Sequence, residues 1–175
     1  MILAGFRADK VSFFKESFLS RNHSENMLTF MEAPLKIQET SLEISPIQKP
    51  LKPLNITIPN DPSSVFYFIL AALILPNSQI CIKNVLLNPT RIEAYKILEK
   101  MGANISYHFD EENFEKIGTI YASSSKLQAV EISENISWLI DEAPALAIAF
   151  ALANGTSLLK NAKELRVKES DRIKA

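Results

Sequence analysis

The sequence predicts an α/β (α+β) protein made of repeated βα folding units around buried helices. Two segments, Val65–Leu75 and Asp141–Ala153, are apolar at nearly every position, which is typical of helices packed on all sides. A turn and a short strand-like segment follow each of them, Gln79–Lys83 and Ser157–Lys160. This recurrence of helix, turn and strand favours one folding unit used several times.

A repeated spacing supports the same interpretation. A lysine ends a predicted strand in three places, and a basic or imidazole side chain follows eight residues later: Lys15 and His23, Lys83 and Arg91, Lys160 and Lys168. Three copies of one offset indicate repeated units, each of which presents polar groups where a helix begins.

The other elements follow from local patterns. Asp61 is a suitable N-cap for the first apolar helix, because its carboxylate can accept the free N–H groups and Pro62 fits the first helical position. Cys81 alternates within an apolar strand, so we expect it to be buried. Further strands and helices are predicted at 10–15, 25–30, 35–37, 42–44, 88–102, 104–107, 119–122 and 129–132.

A proline-rich segment divides the chain. Pro46, Pro50, Pro53 and Pro59 favour an extended connector, so we place a domain boundary there, with one part at 1–57 and the other at 58–175. The first residues are typical of the end of a helix and the last residues of the beginning of another. We therefore expect a middle piece of a larger protein.

Composition excludes several classes of protein. Apolar residues make up 47% and charged residues 22%, which is typical of a globular protein. A net charge of −1 predicts neither nucleic acid nor an acidic membrane as a partner. The longest apolar run has 11 residues and is too short to cross a bilayer. A single cysteine suits a reducing compartment, so we expect a cytoplasmic protein.

The segment Leu165–Ile173 carries the densest charge pattern. If it opens a helix, Lys168 and Arg172 share a face, and Glu169 lies near the positive end of the helix dipole. Backbone N–H groups and the two cations could then bind a phosphorylated ligand. The other interpretation is a solvated helix start of mixed charge.

Six segments together carry a resemblance to a known family. They are Ser20-Arg-Asn-His-Ser-Glu25, Asn60-Asp-Pro-Ser-Ser64, Leu87-Asn-Pro-Thr-Arg91, Lys100-Met-Gly-Ala103, Ile140-Asp-Glu-Ala-Pro144 and Leu165-Arg-Val-Lys-Glu-Ser-Asp-Arg-Ile173. In this order they resemble the 3-phosphoshikimate 1-carboxyvinyltransferase (5-enolpyruvylshikimate-3-phosphate synthase) family across essentially the whole chain. Members of the family are more than twice as long, so the chain resembles their central part.

The resemblance implies an enolpyruvyl-transferase-like fold of two domains, each with three similar units, which is incomplete here. Residues 1–57 would be the last part of the N-terminal domain plus the connector, and 58–175 the first two of three units of the C-terminal domain. The implied reaction moves the carboxyvinyl group of phosphoenolpyruvate to the 5-hydroxyl of shikimate 3-phosphate and releases phosphate. It requires no metal and no organic cofactor, and the full-length protein is expected to be a monomer.

The resemblance also implies catalytic roles. Asp141 would contact the shikimate ring hydroxyls and is a candidate for the proton on the 5-hydroxyl, while Glu169 would move protons at the methylene carbon. Lys168 would stabilise charge that develops on the reacting oxygens. Without the resemblance, Asp141 is better interpreted as a helix N-cap.

Substrate binding is implied at four further positions. Arg172 would bind phosphoenolpyruvate, and Ser20 would hold the shikimate phosphate. His23 would line the site, and Glu164 would either bind the substrate or cap the following helix. Arg91 is interpreted equally well as a structural ion-pair residue.

The sequence departs from the family in two ways. Asn60 replaces a glycine before Asp61, and anchors that the family carries outside this region are absent, so we expect 1–175 alone to be inactive. Two alternatives are a UDP-N-acetylglucosamine enolpyruvyl transferase and a non-catalytic anion-binding scaffold. An RNA-end-processing relative is disfavoured by the net charge of −1.

Overall fold

The computed structural model of the chain describes residues 1–112 and 114–174, apart from the side chains of Glu111 and Glu112. Two units divide it. The first contains Met1–Ile58 with Phe114 and Glu115, and the second contains Pro59–Glu112 and residues 116–174.

The first unit is a three-stranded sheet with two short helices. Its elements are α1 (Ile2–Gly5), β1 (Ser12–Lys15), α2 (His23–Phe30), β2 (Leu35–Gln38) and β3 (Ser41–Ile44). Strand β3 lies between β1 and β2 and is antiparallel to both. A small core forms from Phe6, Leu28, Leu42 and Ile44. Gly5 is required there, because a Cβ at its position would come within 2.9 Å of the Ile44 side chain.

The second unit repeats the arrangement on a larger scale. Its elements are α3 (Pro62–Ile74), β4 (Gln79–Leu86), α4 (Glu93–Lys100), β5 (Asn104–Glu112), β6 (Lys116–Ser123), β7 (Glu131–Ile132), α5 (Ala143–Leu152) and β8 (Leu158–Leu159). Strand β6 lies between β4 and β5 and is antiparallel to both, which is the order seen in the first unit. Both units therefore run helix, strand, helix, strand, strand, with the last strand in the middle. The predicted α/β fold of repeated units is confirmed.

Helix α5 and strand β8 begin one further copy of this pattern. Strand β8 follows α5 and pairs in parallel with β7, with Glu131 opposite Leu158. A 3₁₀ turn precedes α5 at Ile136–Trp138, and another follows β8 at Lys163–Arg166. The loop before α5 and the segment after β8 are the two places where the candidate site residues of this unit lie.

The core of the second unit is packed between α3, α4, α5 and the sheet. Phe66 and Tyr95 are fully buried and meet edge to face, with ring centroids 5.1 Å apart. The Tyr95 hydroxyl donates a hydrogen bond of 2.6 Å to the Pro62 carbonyl, so the aromatic core also fixes the first turn of α3. Gly102 ends α4 with φ at +90°, a conformation that glycine adopts at little cost.

Two predictions about these elements are wrong. The two apolar helices are not buried on every face, because Tyr67 and Phe68 of α3 and Ile148 and Leu152 of α5 are each about half exposed or more. Cys81 is exposed rather than buried. Its neighbours Ile80 and Ile82 pack against the core, and the two-residue period of a strand then turns Cys81 to the opposite face.

Candidate functional site

Arg172 brings together candidate residues from two segments of the second unit. Its Nη2 donates a hydrogen bond of 2.9 Å to Glu169, and its Nη1 donates one of 3.3 Å to Asp141. The same Nη1 also donates to the Ile140 carbonyl at 2.9 Å. The loop before α5 and the segment after β8 therefore meet at one guanidinium, and the structure places Asp141 and Glu169 on the same side of their unit.

Lys168 lies beside this group and has its own partner. Its Nζ is 2.8 Å from a carboxylate oxygen of Glu164, and the Lys168 side chain is 28% exposed. Glu164 is thus neither buried nor committed to the backbone, since it belongs to a 3₁₀ turn and pairs with a lysine four residues later. Charged side chains of both signs in this segment and the adjoining loop are at least partly exposed, which suits a site for an anionic ligand that also needs acid–base groups.

The prediction that this segment opens a helix is wrong over residues 167–170. The 3₁₀ turn ends at Arg166, and the chain then bends until a turn begins after Asp171. Asp171 accepts hydrogen bonds from the backbone N–H groups of Ile173 and Lys174, which stabilise the turn over residues 172–174. Lys168 and Arg172 therefore do not share a helical face; Lys168 pairs locally with Glu164, and Arg172 pairs with nearby Glu169 and with distant Asp141.

The ion pairs determine protonation at this segment. Its own backbone N–H and the Arg172 guanidinium hold the pKa of Glu169 below the ordinary value of 4.5. The Glu169 side chain is 83% exposed, so the carboxylate is ionised and accessible near neutral pH. The hydrogen bond to Glu169 in turn raises the pKa of Arg172. Glu169 in this state can accept a proton but has none to give.

A second polar group lies buried behind Asp141. Glu142 is 1% exposed and accepts a short hydrogen bond from the Ser63 hydroxyl. Ser63 in turn accepts a hydrogen bond of 2.9 Å from Arg91, which also pairs with Asp61. Burial raises the pKa of Glu142 above its ordinary value of 4.5. Sequence reasoning missed Glu142, although a glutamate directly before an apolar helix was a visible signal.

These contacts give a structural context for alternatives that the sequence left open. Glu142 occupies the N-cap position of α5, and its side chain makes no capping hydrogen bond, while Asp141 faces Arg172. Arg91 forms the structural ion pair, with Asp61 as its partner. Asp61 also caps α3 as predicted, because its carboxylate accepts a hydrogen bond from the Ser64 N–H at 2.9 Å.

Two candidate residues belong to the first unit. The Ser20 hydroxyl donates to Glu16 at 3.0 Å, and the Ser20 backbone N–H donates to the same carboxylate. The Nδ1 atom of His23 lies 2.8 Å from a carboxylate oxygen of Glu115. Each of the two residues is therefore oriented by an acidic neighbour within its unit.

No group of three or more His, Cys, Asp or Glu side chains among the described residues is placed to hold a metal ion. Over the same residues, no helix has the length and apolar character needed to cross a bilayer.

Comparison with known proteins identifies the family. The model of the EPSP synthase (3-phosphoshikimate 1-carboxyvinyltransferase) family matches residues 1–175. A 3-phosphoshikimate 1-carboxyvinyltransferase of Campylobacter jejuni (strain 81-176) is 66% identical over 99% of this chain, and one of Campylobacter hominis is 63% identical over 92% of it. The chain spans only 41% and 38% of these two relatives.

Solved structures agree with this match. The EPSP synthase of Acinetobacter baumannii superimposes with a TM-score of 0.90 at 34% identity, over 99% of this chain and 39% of that one. The enolpyruvyl transferase NikO from Streptomyces tendae, at 18% identity and a TM-score of 0.63, shares the fold. Because a family model covers the entire chain and a solved member has the same architecture, the chain belongs to the EPSP synthase (3-phosphoshikimate 1-carboxyvinyltransferase) family.

Proposed function

We propose that the full-length protein containing this chain transfers the carboxyvinyl group of phosphoenolpyruvate to the 5-hydroxyl of shikimate 3-phosphate and releases phosphate. The observation that carries the proposal is the meeting of Asp141 and Glu169 at the Arg172 guanidinium, in a chain that belongs to this family. Such a group offers a cation for an anionic substrate and two carboxylates for proton transfer within one site.

The proposed reaction is an addition followed by an elimination. In the addition, the 5-hydroxyl oxygen bonds to C2 of phosphoenolpyruvate, its proton passes to a base, and the methylene carbon gains a proton. In the elimination, the new methyl group loses a proton and the C–O bond to phosphate breaks. Each proton taken is matched by one returned, so the reaction needs carboxylates and positioning and no redox cofactor or metal.

Asp141 is the proposed base for the 5-hydroxyl, and Glu169 serves the methylene carbon. Because Glu169 is ionised, it is suited to take the proton of the methyl group in the elimination, and it must gain a proton before it can act in the addition. Lys168 would stabilise charge on the reacting oxygens as it develops.

The remaining candidates bind substrate. Arg172 holds phosphoenolpyruvate, Ser20 holds the phosphate of shikimate 3-phosphate, and His23 and Glu164 line the site. The Glu169 side chain is 83% exposed, so its ion pair with Arg172 is weakly held and can be exchanged for a substrate anion. We also propose that the full-length protein is a cytoplasmic monomer; its single cysteine in this region suits a reducing compartment.

The test is Glu169→Gln in the full-length protein. Shikimate 3-phosphate should still bind in a titration, while turnover should fall about 10²-fold or more, because a general acid–base group is lost. Glu131→Gln is the matched control, since Glu131 is also an exposed glutamate paired with a cation, Lys160, and should leave turnover unchanged.

Other outcomes would contradict the proposal. Unchanged turnover in Glu169→Gln would remove Glu169 from the chemistry. Turnover with UDP-N-acetylglucosamine in place of shikimate 3-phosphate would assign the protein to the sister reaction. Binding of both substrates without any product would favour an anion-binding scaffold.

A further inference from the structure

A chain of polar contacts that ends on the buried Glu142 lies behind Asp141 and has no part in the reaction proposed above. Glu142 accepts a hydrogen bond from the Ser63 hydroxyl and is 1% exposed. Ser63 accepts one from Nη2 of Arg91 at 2.9 Å, and the same Nη2 donates to Asp61. These residues come from the start of α3, the segment before α4 and the start of α5.

The hydrogen bonds in this chain run in one direction when Glu142 is ionised. The Arg91 Nη2 group has two hydrogens, one for Asp61 and one for Ser63, and a guanidinium cannot accept. An ionised Glu142 only accepts, so the Ser63 hydroxyl donates its own hydrogen to it. Arranged in one direction, such bonds strengthen one another in a buried setting, and a gap would leave a buried group unpaired.

The loop before α5, residues 140–142, is held from two sides. Glu142 accepts the hydrogen bond from Ser63 on the buried side, and Arg172 donates to the Ile140 carbonyl and to the Asp141 carboxylate on the other. The Glu142 carbonyl also accepts the first helical bond of α5, from the Leu146 N–H at 2.8 Å. Asp141 therefore lies between two anchored neighbours, which hold the backbone that carries its carboxylate.

We propose that Glu142, held by Ser63 and Arg91, is a positioning residue that sets where the Asp141 carboxylate stands during carboxyvinyl transfer. The inference rests on the proposed function of Asp141. A reacting group displaced by about 1 Å loses about 10²-fold in rate, so a buried anchor one residue away has a direct effect on turnover.

Two adjacent serines provide the first test in the full-length protein. Ser63 and Ser64 lie on the same turn of α3, but Ser63 donates to Glu142 and Ser64 donates to Asp61. Ser63→Ala should lower kcat about tenfold or more with a small change in the KM for phosphoenolpyruvate. Ser64→Ala should keep kcat within about twofold. Equal kcat values in the two variants would overturn the proposal.

A conservative substitution separates positioning from general support of the fold. Glu142→Gln keeps the oxygen that accepts from Ser63, so its kcat should stay well above that of Glu142→Ala. Measured Tm values identify any variant that is unfolded at the assay temperature. If Glu142→Ala does not fold, Ser63→Ala replaces it in the comparison that follows.

The decisive measurement is a double-mutant cycle with Asp141→Asn, read out as kcat and as the Kd for shikimate 3-phosphate. If Glu142 acts through Asp141, Glu142→Ala should lower kcat and raise the Kd for shikimate 3-phosphate in the native background. In the Asp141→Asn background, the same substitution should change neither quantity further. Losses that add would overturn the positioning role. Full activity of Asp141→Asn alone would instead overturn the proposed function of Asp141, so the two failures are distinguishable.

Discussion

At the scale of single residues, Arg172 is the group on which the candidate site depends. Its planar guanidinium reaches two carboxylates and one carbonyl from different directions, which a lysine ammonium on a flexible stem does not reproduce. Arg172→Lys in the full-length protein should therefore raise the KM for phosphoenolpyruvate about tenfold or more. Steady-state kinetics at fixed shikimate 3-phosphate would measure the change. An unchanged KM would remove Arg172 from the donor site.

Glu142 leads to a pH-dependent prediction at the same scale. Burial raises its folded-state pKa above 4.5, so the folded protein binds this proton more tightly than the unfolded chain does. Its contribution is fully present below the unfolded pKa and is lost as pH rises through the folded pKa. Glu142→Gln should therefore gain stability relative to the native protein as pH rises above about 4.5.

Urea denaturation at several pH values between about 4.5 and 8 would check this. The difference in free energy of unfolding between the variant and the native protein should grow with pH. Glu131→Gln, at an exposed ion pair, should show a nearly flat difference over the same range. A difference for Glu142→Gln that shrinks with pH would contradict a raised pKa.

At the scale of elements, the start of α3 is fixed by a side-chain cap, Asp61. The Asp61 carboxylate accepts from the Ser64 N–H and hydroxyl and pairs with Arg91. Burial acts to raise the pKa of Asp61, but these hydrogen bonds outweigh it and hold the pKa below 3.8. The stabilisation that the ionised Asp61 carboxylate contributes is thus present above its unfolded-state pKa of about 3.8, and it is lost as pH falls through the lower folded-state pKa.

Asp61→Ala should destabilise the protein by about 1–2 kcal/mol, because it removes an N-cap and leaves Arg91 with one partner fewer. Chemical denaturation at neutral pH measures the change, and Glu131→Ala serves as the exposed acidic control. A loss no larger than that of the control would show that the cap contributes little to stability.

Elements were predictable where the local pattern and the tertiary packing agree. Asp61 and Pro62 mark the start of α3, and Gly102 marks the end of α4, because caps and breakers act within a few residues. Cys81 was placed on the wrong face, since a short strand of mostly apolar residues does not reveal which of its two faces is covered. The prediction of a helix at the Lys168 segment was wrong because charges spaced three or four residues apart also pair in bends and 3₁₀ turns, as Lys168 does with Glu164.

At the scale of the whole molecule, the chain contains two copies of one βαββ arrangement and part of another. It spans 41% of a relative that is 66% identical to it. We predict that purified 1–175 yields no product from phosphoenolpyruvate and shikimate 3-phosphate, because by resemblance further cationic anchors for both substrates lie outside this region. A phosphate-release assay would measure this, with the full-length protein as the positive control, and detectable product would contradict it.

The sequence by itself determined the repeated α/β architecture, the family and the identity of most candidate residues. These depend on patterns that lie within a few residues of one another, namely apolar periodicity, caps and short motifs. Only the tertiary structure decided that Arg172 joins Asp141 to Glu169, and that Ser63 and Arg91 hold Glu142. Such contacts link residues that are tens of positions apart, and which buried polar groups meet is set by how the helices pack rather than by local sequence.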